Sequence, residues 1–156
     1  MKIIFLDVDG VLNYRGSKAR SATGCLGIDE DKLLILKRIV QKTNSKIVLT
    51  STWKTDWVKK FEGYLSPDGQ YLVDRLESVG LKIYDKTIDP AWHLRGQGIT
   101  DWIENSKCNV EQFVIIDDES FDFIELGLEN RFVKTSFTDG LLPEHVDKAV
   151  CILNGR

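Results

Sequence analysis

The stretch Lys2-Ile3-Ile4-Phe5-Leu6-Asp7-Val8-Asp9-Gly10-Val11-Leu12-Asn13 sets two carboxylates one residue apart, where an apolar run stops and a glycine turn begins. Lys2 to Leu6 is too short to span a membrane and reads as a buried strand, because four of its five residues are apolar and a turn signal follows. Asp7 and Asp9 then sit at the strand's carboxyl end, where open α/β sheets bind ligands. On an extended chain both face one side. Two anions that close need a compensating proton or a bound cation, and a hard divalent ion such as magnesium suits carboxylate oxygens.

Further strand-like runs recur at Ile47 to Thr50, Leu81 to Tyr84, Phe113 to Ile116 and Arg131 to Val133, with helical patterns between most of them. Such alternation predicts a parallel sheet. A helix is expected from near Asp29 to Thr43-Asn44. Another covers Gly98 to Asn105, with Ile99, Trp102 and Ile103 on one face, and a last one starts at Pro143 and ends at Asn154-Gly155. Residues 14–28 are rich in Gly, Ser, Ala and Thr, follow the acidic turn directly and carry Arg15, Lys18 and Arg20, so a flap over the strand ends is expected. Trp53, Trp57, Phe61, Tyr64 and Tyr71 fall in the segment from Trp53 to Gly80, and packing is their simplest use, as it is for Trp92 and Trp102.

With 156 residues, 42% apolar and 29% charged, the chain reads as one soluble globular domain. No signal-peptide pattern and no run of 18 apolar residues is present, so a cytoplasmic protein without membrane partners is expected. Cys25, Cys108 and Cys151 are far apart, odd in number and without zinc spacing, which suits reduced structural thiols. His93 and His145 read as surface or helix-end residues. A net charge of -3 argues against a strongly basic nucleic-acid binder without excluding a local basic patch.

Two more strand ends carry chemistry. Ile47-Val48-Leu49 runs into Thr50-Ser51-Thr52, whose hydroxyls and backbone N–H groups suit a phosphate oxygen, and Phe113-Val114-Ile115-Ile116 runs into Asp117-Asp118, with Asp122 one helical turn beyond Asp118 if a helix starts there. Arg95 immediately precedes a helix from Gly96, a setting that favours an anion.

In the order acidic pair, hydroxyl, cation, acidic pair, the chain resembles the haloacid dehalogenase (HAD) superfamily of phosphohydrolases over nearly its whole length. Through FLDVDGVLN, IVLTSTWK, Arg95-Gly96 and VIIDDES it is similar to the HAD domains of RNA-repair proteins. The resemblance implies a three-layer α/β/α Rossmann-like core with a mostly parallel sheet in a single domain over 1–156. It leaves no large cap, only the flap at 14–28 and a short insertion with the third strand at 53–92. It also implies a magnesium-dependent phosphoric monoester hydrolase, with Asp7 as the nucleophile that becomes an aspartyl-phosphate and Asp9 as general acid and base. Mg2+ would be held by Asp7, the Asp9 backbone carbonyl and Asp118, with Asp117 and Asp122 as outer or alternate ligands. Phosphate would be bound by Thr50 or Ser51 and by Arg95. The family's third-motif cation is usually lysine, which leaves Lys86 as a competitor to Arg95. A phosphorylated substrate follows, with a nucleic-acid 3'-phosphate end suggested by the relatives. Small-metabolite or phosphoprotein phosphatases, a receiver domain and a non-catalytic binding domain are the alternatives. The spacing Asp7-Val8-Asp9-Gly10 disfavours the receiver.

Overall fold

The computed structural model describes residues 1–59 and 63–156, so Phe61 lies outside the described residues. The elements run β1 (Lys2–Leu6), α1 (Glu30–Thr43), β2 (Lys46–Leu49), α2 (Pro67–Ser78), β3 (Ile83–Lys86), α3 (Arg95–Asn105), β4 (Gln112–Asp117), β5 (Phe132–Lys134) and α4 (Glu144–Leu153), with 3-10 turns at Thr52–Thr55 and Glu129–Arg131. The five strands of the described residues are all parallel, in the order β3-β2-β1-β4-β5. The α/β core expected from the alternation is present, and the described residues contain no large cap.

Side chains of β1 alternate between the two faces of the sheet. Ile3 and Phe5 join Val48, Ile115, Ile99 and Phe123 under α3, where Trp102 and Phe113 meet the Phe5 ring edge-on at 5.5 and 5.7 Å. Ile4 and Leu6 face the opposite layer, formed by Leu33 and Leu36 of α1, Leu72 of α2 and Val146 of α4. Each fully buried Ile or Leu contributes on the order of 1.5–3 kcal/mol, so the central strand is fixed from both sides. Helix α1 keeps its expected ends: Glu30 and Asp31 lie in the first turn, and Asn44 closes it at φ 53° with its N–H on the Val40 carbonyl.

Four expectations need correction, for the third strand, a helix at Asp118, and the packing of Trp92 and of Tyr64. The third strand is Ile83–Lys86 rather than Leu81 to Tyr84: the Leu81 N–H bonds the Leu76 carbonyl and so finishes α2 through Gly80 at φ 81°. Residues 121–127 form successive turns, so no helix starts at Asp118 to carry Asp122. Trp92 is not packed inside but 82% exposed, whereas Trp102 is packed on the α3 side. Trp53 and Trp57 are buried and Tyr71 packs against the core, while Tyr64 is fully exposed. Among the described residues no helix is long and apolar enough to cross a membrane.

Candidate active site

Parallel pairing brings the carboxyl ends of β1, β2 and β4 together, since the Asp7 N–H bonds the Ile116 carbonyl at 3.0 Å and the Thr50 N–H bonds Leu6 at 3.0 Å. β1 and β4 flank the point where the strand order reverses, the usual crevice of an open α/β sheet. Asp7, Asp117 and Asp118 each present a carboxylate oxygen there, all within 4.8 Å of one another. One side chain links this group to α3. The Arg95 Nη1 lies 3.0 Å from Asp7 Oδ1 and 2.5 Å from Asp117 Oδ2, all three residues being buried, while its guanidinium covers the Phe121 ring at 4.2 Å. Arg95 is itself the first residue of α3, not the residue before it.

Burial is the chief force on these charges. It pushes the Asp7 carboxyl up to about 8, helped by Asp117 and Asp118 and opposed by Arg95. Asp117 is raised by burial to about 6, against the pull of Arg95 and of the Glu119 N–H donated to its Oδ1 at 3.0 Å. Asp118 is raised too, by burial first. Burial works against the Arg95 charge, but Asp117 and Asp7 outweigh it and hold the guanidinium protonated. Three mutually repelling carboxylates with one arginine form a hard-oxygen donor set short of positive charge, which fits a divalent cation of the magnesium type.

Asp9 is placed differently. Its Oδ1 accepts from Asn13 Nδ2 at 2.8 Å and its Oδ2 from Trp53 Nε1 at 3.1 Å, so both oxygens are oriented. Asn13 is fully buried, donates also to the Gly27 carbonyl at 2.9 Å and accepts from the Gly10 N–H at 2.9 Å. Gly10 takes φ 78°, and a Cβ there would collide with the Asp118 carboxylate. Asn13 follows Asp9 by four residues in the opening stretch, whereas Trp53 lies 44 residues away, where no local spacing pairs it with Asp9.

Thr50 is fully buried, and its hydroxyl has no partner among the described residues, whereas the Ser51 hydroxyl accepts from the Trp53 N–H at 3.3 Å. Thr52 lines the cavity of about 370 Å³ that contains Asp7, Asp9, Arg95, Asp117 and Asp118. The Asp122 carboxylate accepts from the N–H groups of Gly96, at 2.5 Å, and Gln97, at 3.0 Å, so it caps α3 from outside. The Lys86 Nζ donates to the carbonyls of Lys54, at 2.9 Å, and Trp57, at 2.6 Å, away from the acidic group. Arg15, Lys18 and Arg20 are exposed and do not line this cavity, and Arg20 turns to the carbonyls of Ser17 and Ala19 in its own loop.

A family model described as the HAD domain in Swiss Army Knife RNA repair proteins matches residues 3–146. No curated protein and no solved structure gives a significant match.

Proposed function

We propose, from the premise that the chain belongs to the family of HAD domains in Swiss Army Knife RNA repair proteins, that it is a magnesium-dependent phosphatase acting on phosphate monoesters, nucleic-acid 3'-ends among them. The observation that carries this reading is the convergence of Asp7, Asp117 and Asp118 on Arg95 beside a separately oriented Asp9. Asp7, Asp117, Asp118 and the Asp9 carbonyl would hold the cation, which when bound shields negative charge between nucleophile and phosphate. The unpartnered Thr50 hydroxyl, with Ser51 beside it, and the Arg95 guanidinium supply donors for phosphoryl oxygens. Asp122 supports Arg95 by capping its helix.

In the first step an Asp7 carboxylate oxygen attacks phosphorus, the bond from phosphorus to the substrate oxygen breaks, and the Asp9 carboxyl gives its proton to the departing alcohol. In the second, the Asp9 carboxylate takes a proton from water as the water oxygen attacks phosphorus. The bond to Asp7 breaks, inorganic phosphate leaves and Asp9 ends protonated, ready for the next cycle. Residues 14–28 serve as a flap beside the leaving group within one domain. The free cysteines suit a reducing cytoplasm.

The test is phosphate release from an aryl phosphate by wild type, by wild type with chelator and by Asp7→Asn. Turnover abolished in both controls is the expected result. Turnover that survives Asp7→Asn refutes the aspartyl-phosphate route. A binding domain without turnover is the second reading, favoured by the charge compensation Arg95 already gives Asp7 and Asp117, and absence of release from every monoester would select it.

A further inference from the structure

A second cavity, of about 550 Å³, opens on the same site. The two share Asp9, Thr52 and Phe137, but Asp7, Arg95 and the Asp117-Asp118 pair line only the first. That division matches the chemistry. The phosphoryl group must lie with Asp7 and Arg95, and the leaving oxygen must lie at Asp9, so the alcohol half of the substrate extends from Asp9 into the second cavity. The walls of that cavity describe what it accepts. Phe137 stands at the seam, 40% exposed, with its carbonyl held by the Arg15 N–H at 2.7 Å, and Leu26 of the 14–28 loop also lines it. Among the described residues, neither lysine nor arginine lines it. Besides Asp9, two carboxylates do, Asp56 and Asp68, both fixed: Asp56 Oδ1 accepts from Ser66 Oγ at 2.7 Å, and Asp68 accepts from the Thr23 N–H at 3.0 Å and the Thr23 hydroxyl at 2.5 Å.

We infer that this cavity is the leaving-group subsite and that it takes one uncharged, flat-ringed alcohol of nucleoside size against Phe137, while Asp56 and Asp68 keep further phosphates out of it. The inference rests on the phosphatase reading and narrows it: at a nucleic-acid end only the terminal nucleoside is held, and the rest of the strand adds no affinity. Polyanion binding by proteins strengthens as salt falls, because lysines and arginines release counterions from the phosphates. Here the sign is reversed, since carboxylates repel the strand and salt screens them.

The experiment compares kcat/KM for a nucleoside 3'-monophosphate, glycerol phosphate and a ten-nucleotide strand with a 3'-phosphate, at 20 and 200 mM salt. Wild type should prefer the mononucleotide to glycerol phosphate by about tenfold or more, and the strand should not surpass the mononucleotide and should lose ground at low salt. Phe137→Ala should bring the ratio of mononucleotide to glycerol phosphate close to one. Asp56→Asn, which keeps an acceptor for Ser66, should raise the ratio of strand to mononucleotide several-fold at low salt. A strand preferred tenfold and gaining at low salt would overturn the inference, as would a preference for the mononucleotide that Phe137→Ala leaves intact. Release with no preference among the three would overturn it while leaving the phosphatase reading standing; release from none, aryl phosphate included, would overturn both.

Discussion

Replacing Asp7 by Asn should abolish turnover and yet make the metal-free protein more stable at pH 8. The Asp7 carboxyl is pushed from its ordinary 3.8 up to about 8, chiefly by burial and next by Asp117. A native state that holds a proton the unfolded chain has released is favoured by acid. The stability from this group is therefore fully present below about pH 4, and it is lost as the pH rises towards 8. Each pH interval between those limits is worth up to about 1.4 kcal/mol, so the whole span amounts to a loss on the order of 5 kcal/mol. Asp117, raised to about 6, adds to the same slope over its lower half. Asn removes the Asp7 titration but also the 3.0 Å ion pair with Arg95, which keeps its bond to Asp117, so a net gain of about 2 kcal/mol at pH 8 is a fair expectation. Urea unfolding in chelator at pH 5, 6.5 and 8 measures it: wild type should lose stability with rising pH, and the variant should show a shallower slope. Magnesium, which needs deprotonated ligands, should restore wild type increasingly as the pH rises and help the variant less. Wild-type stability that is level or rises from pH 5 to 8 in chelator would refute the account of the carboxylate cluster.

Other outcomes follow from individual contacts. Arg95→Ala should lower kcat by about 10²–10³ and cost about 3–5 kcal/mol of stability in chelator, because Asp117 is left buried without its partner; an unaltered rate would move the phosphate-binding cation to Lys86. Trp53→Phe removes one of the two donors that orient Asp9 and should slow alkyl phosphates by about tenfold. With a nitrophenyl phosphate, whose leaving group needs little protonation, the loss should be slight, and an equal loss on both substrates would show mere structural damage. Gly10→Ala should weaken magnesium binding, read as a higher metal concentration for half-maximal rate, because its Cβ displaces Asp118 and its φ of 78° costs about 1–2 kcal/mol. An unchanged metal requirement would detach Asp118 from the ion.

The parts of the fold that could be read from sequence are those where one local force dominates. β1, β2 and β4 are central strands buried on both faces, so their apolar runs are continuous and stop where Asp7, Thr50 and Asp117 begin. β3 is an edge strand with one neighbour, which lets it continue through Asp85 and Lys86; hydrophobicity therefore ended it too soon and started it too early, at Leu81. Its polar residues serve distant partners: Asp85 accepts from Trp102 Nε1 at 3.0 Å, and Lys86 closes the 3-10 turn. The acidic residues at the strand ends were legible because charge there is conspicuous. Their relation to other side chains was not. Asn13 and Trp53 meet at Asp9 from positions 40 residues apart in the chain, and Asp122 turned from Asp118 to the start of α3 because turns, not a helix, follow β4. The three cations of residues 14–28 suggested a basic cover, whereas the residues of that loop facing the second cavity are Cys25 and Leu26.

The position of β1 has a consequence for how the protein is made. This strand leads the sheet in sequence and occupies its centre, between β2 and β4, and the Gly10 carbonyl just beyond it accepts the Thr135 hydroxyl at 2.6 Å, across 125 residues. On a ribosome, Asp7 and Asp9 emerge well before their neighbours Arg95, Asp117 and Thr135, which lie 88 to 128 residues beyond Asp7. Nascent chains that have not reached Thr135 lack the bond that secures the acidic turn, and contacts of such long separation form slowly. A stalled or clipped chain that ends before Thr135 thus lacks the bond that orders its acidic turn even with both aspartates present.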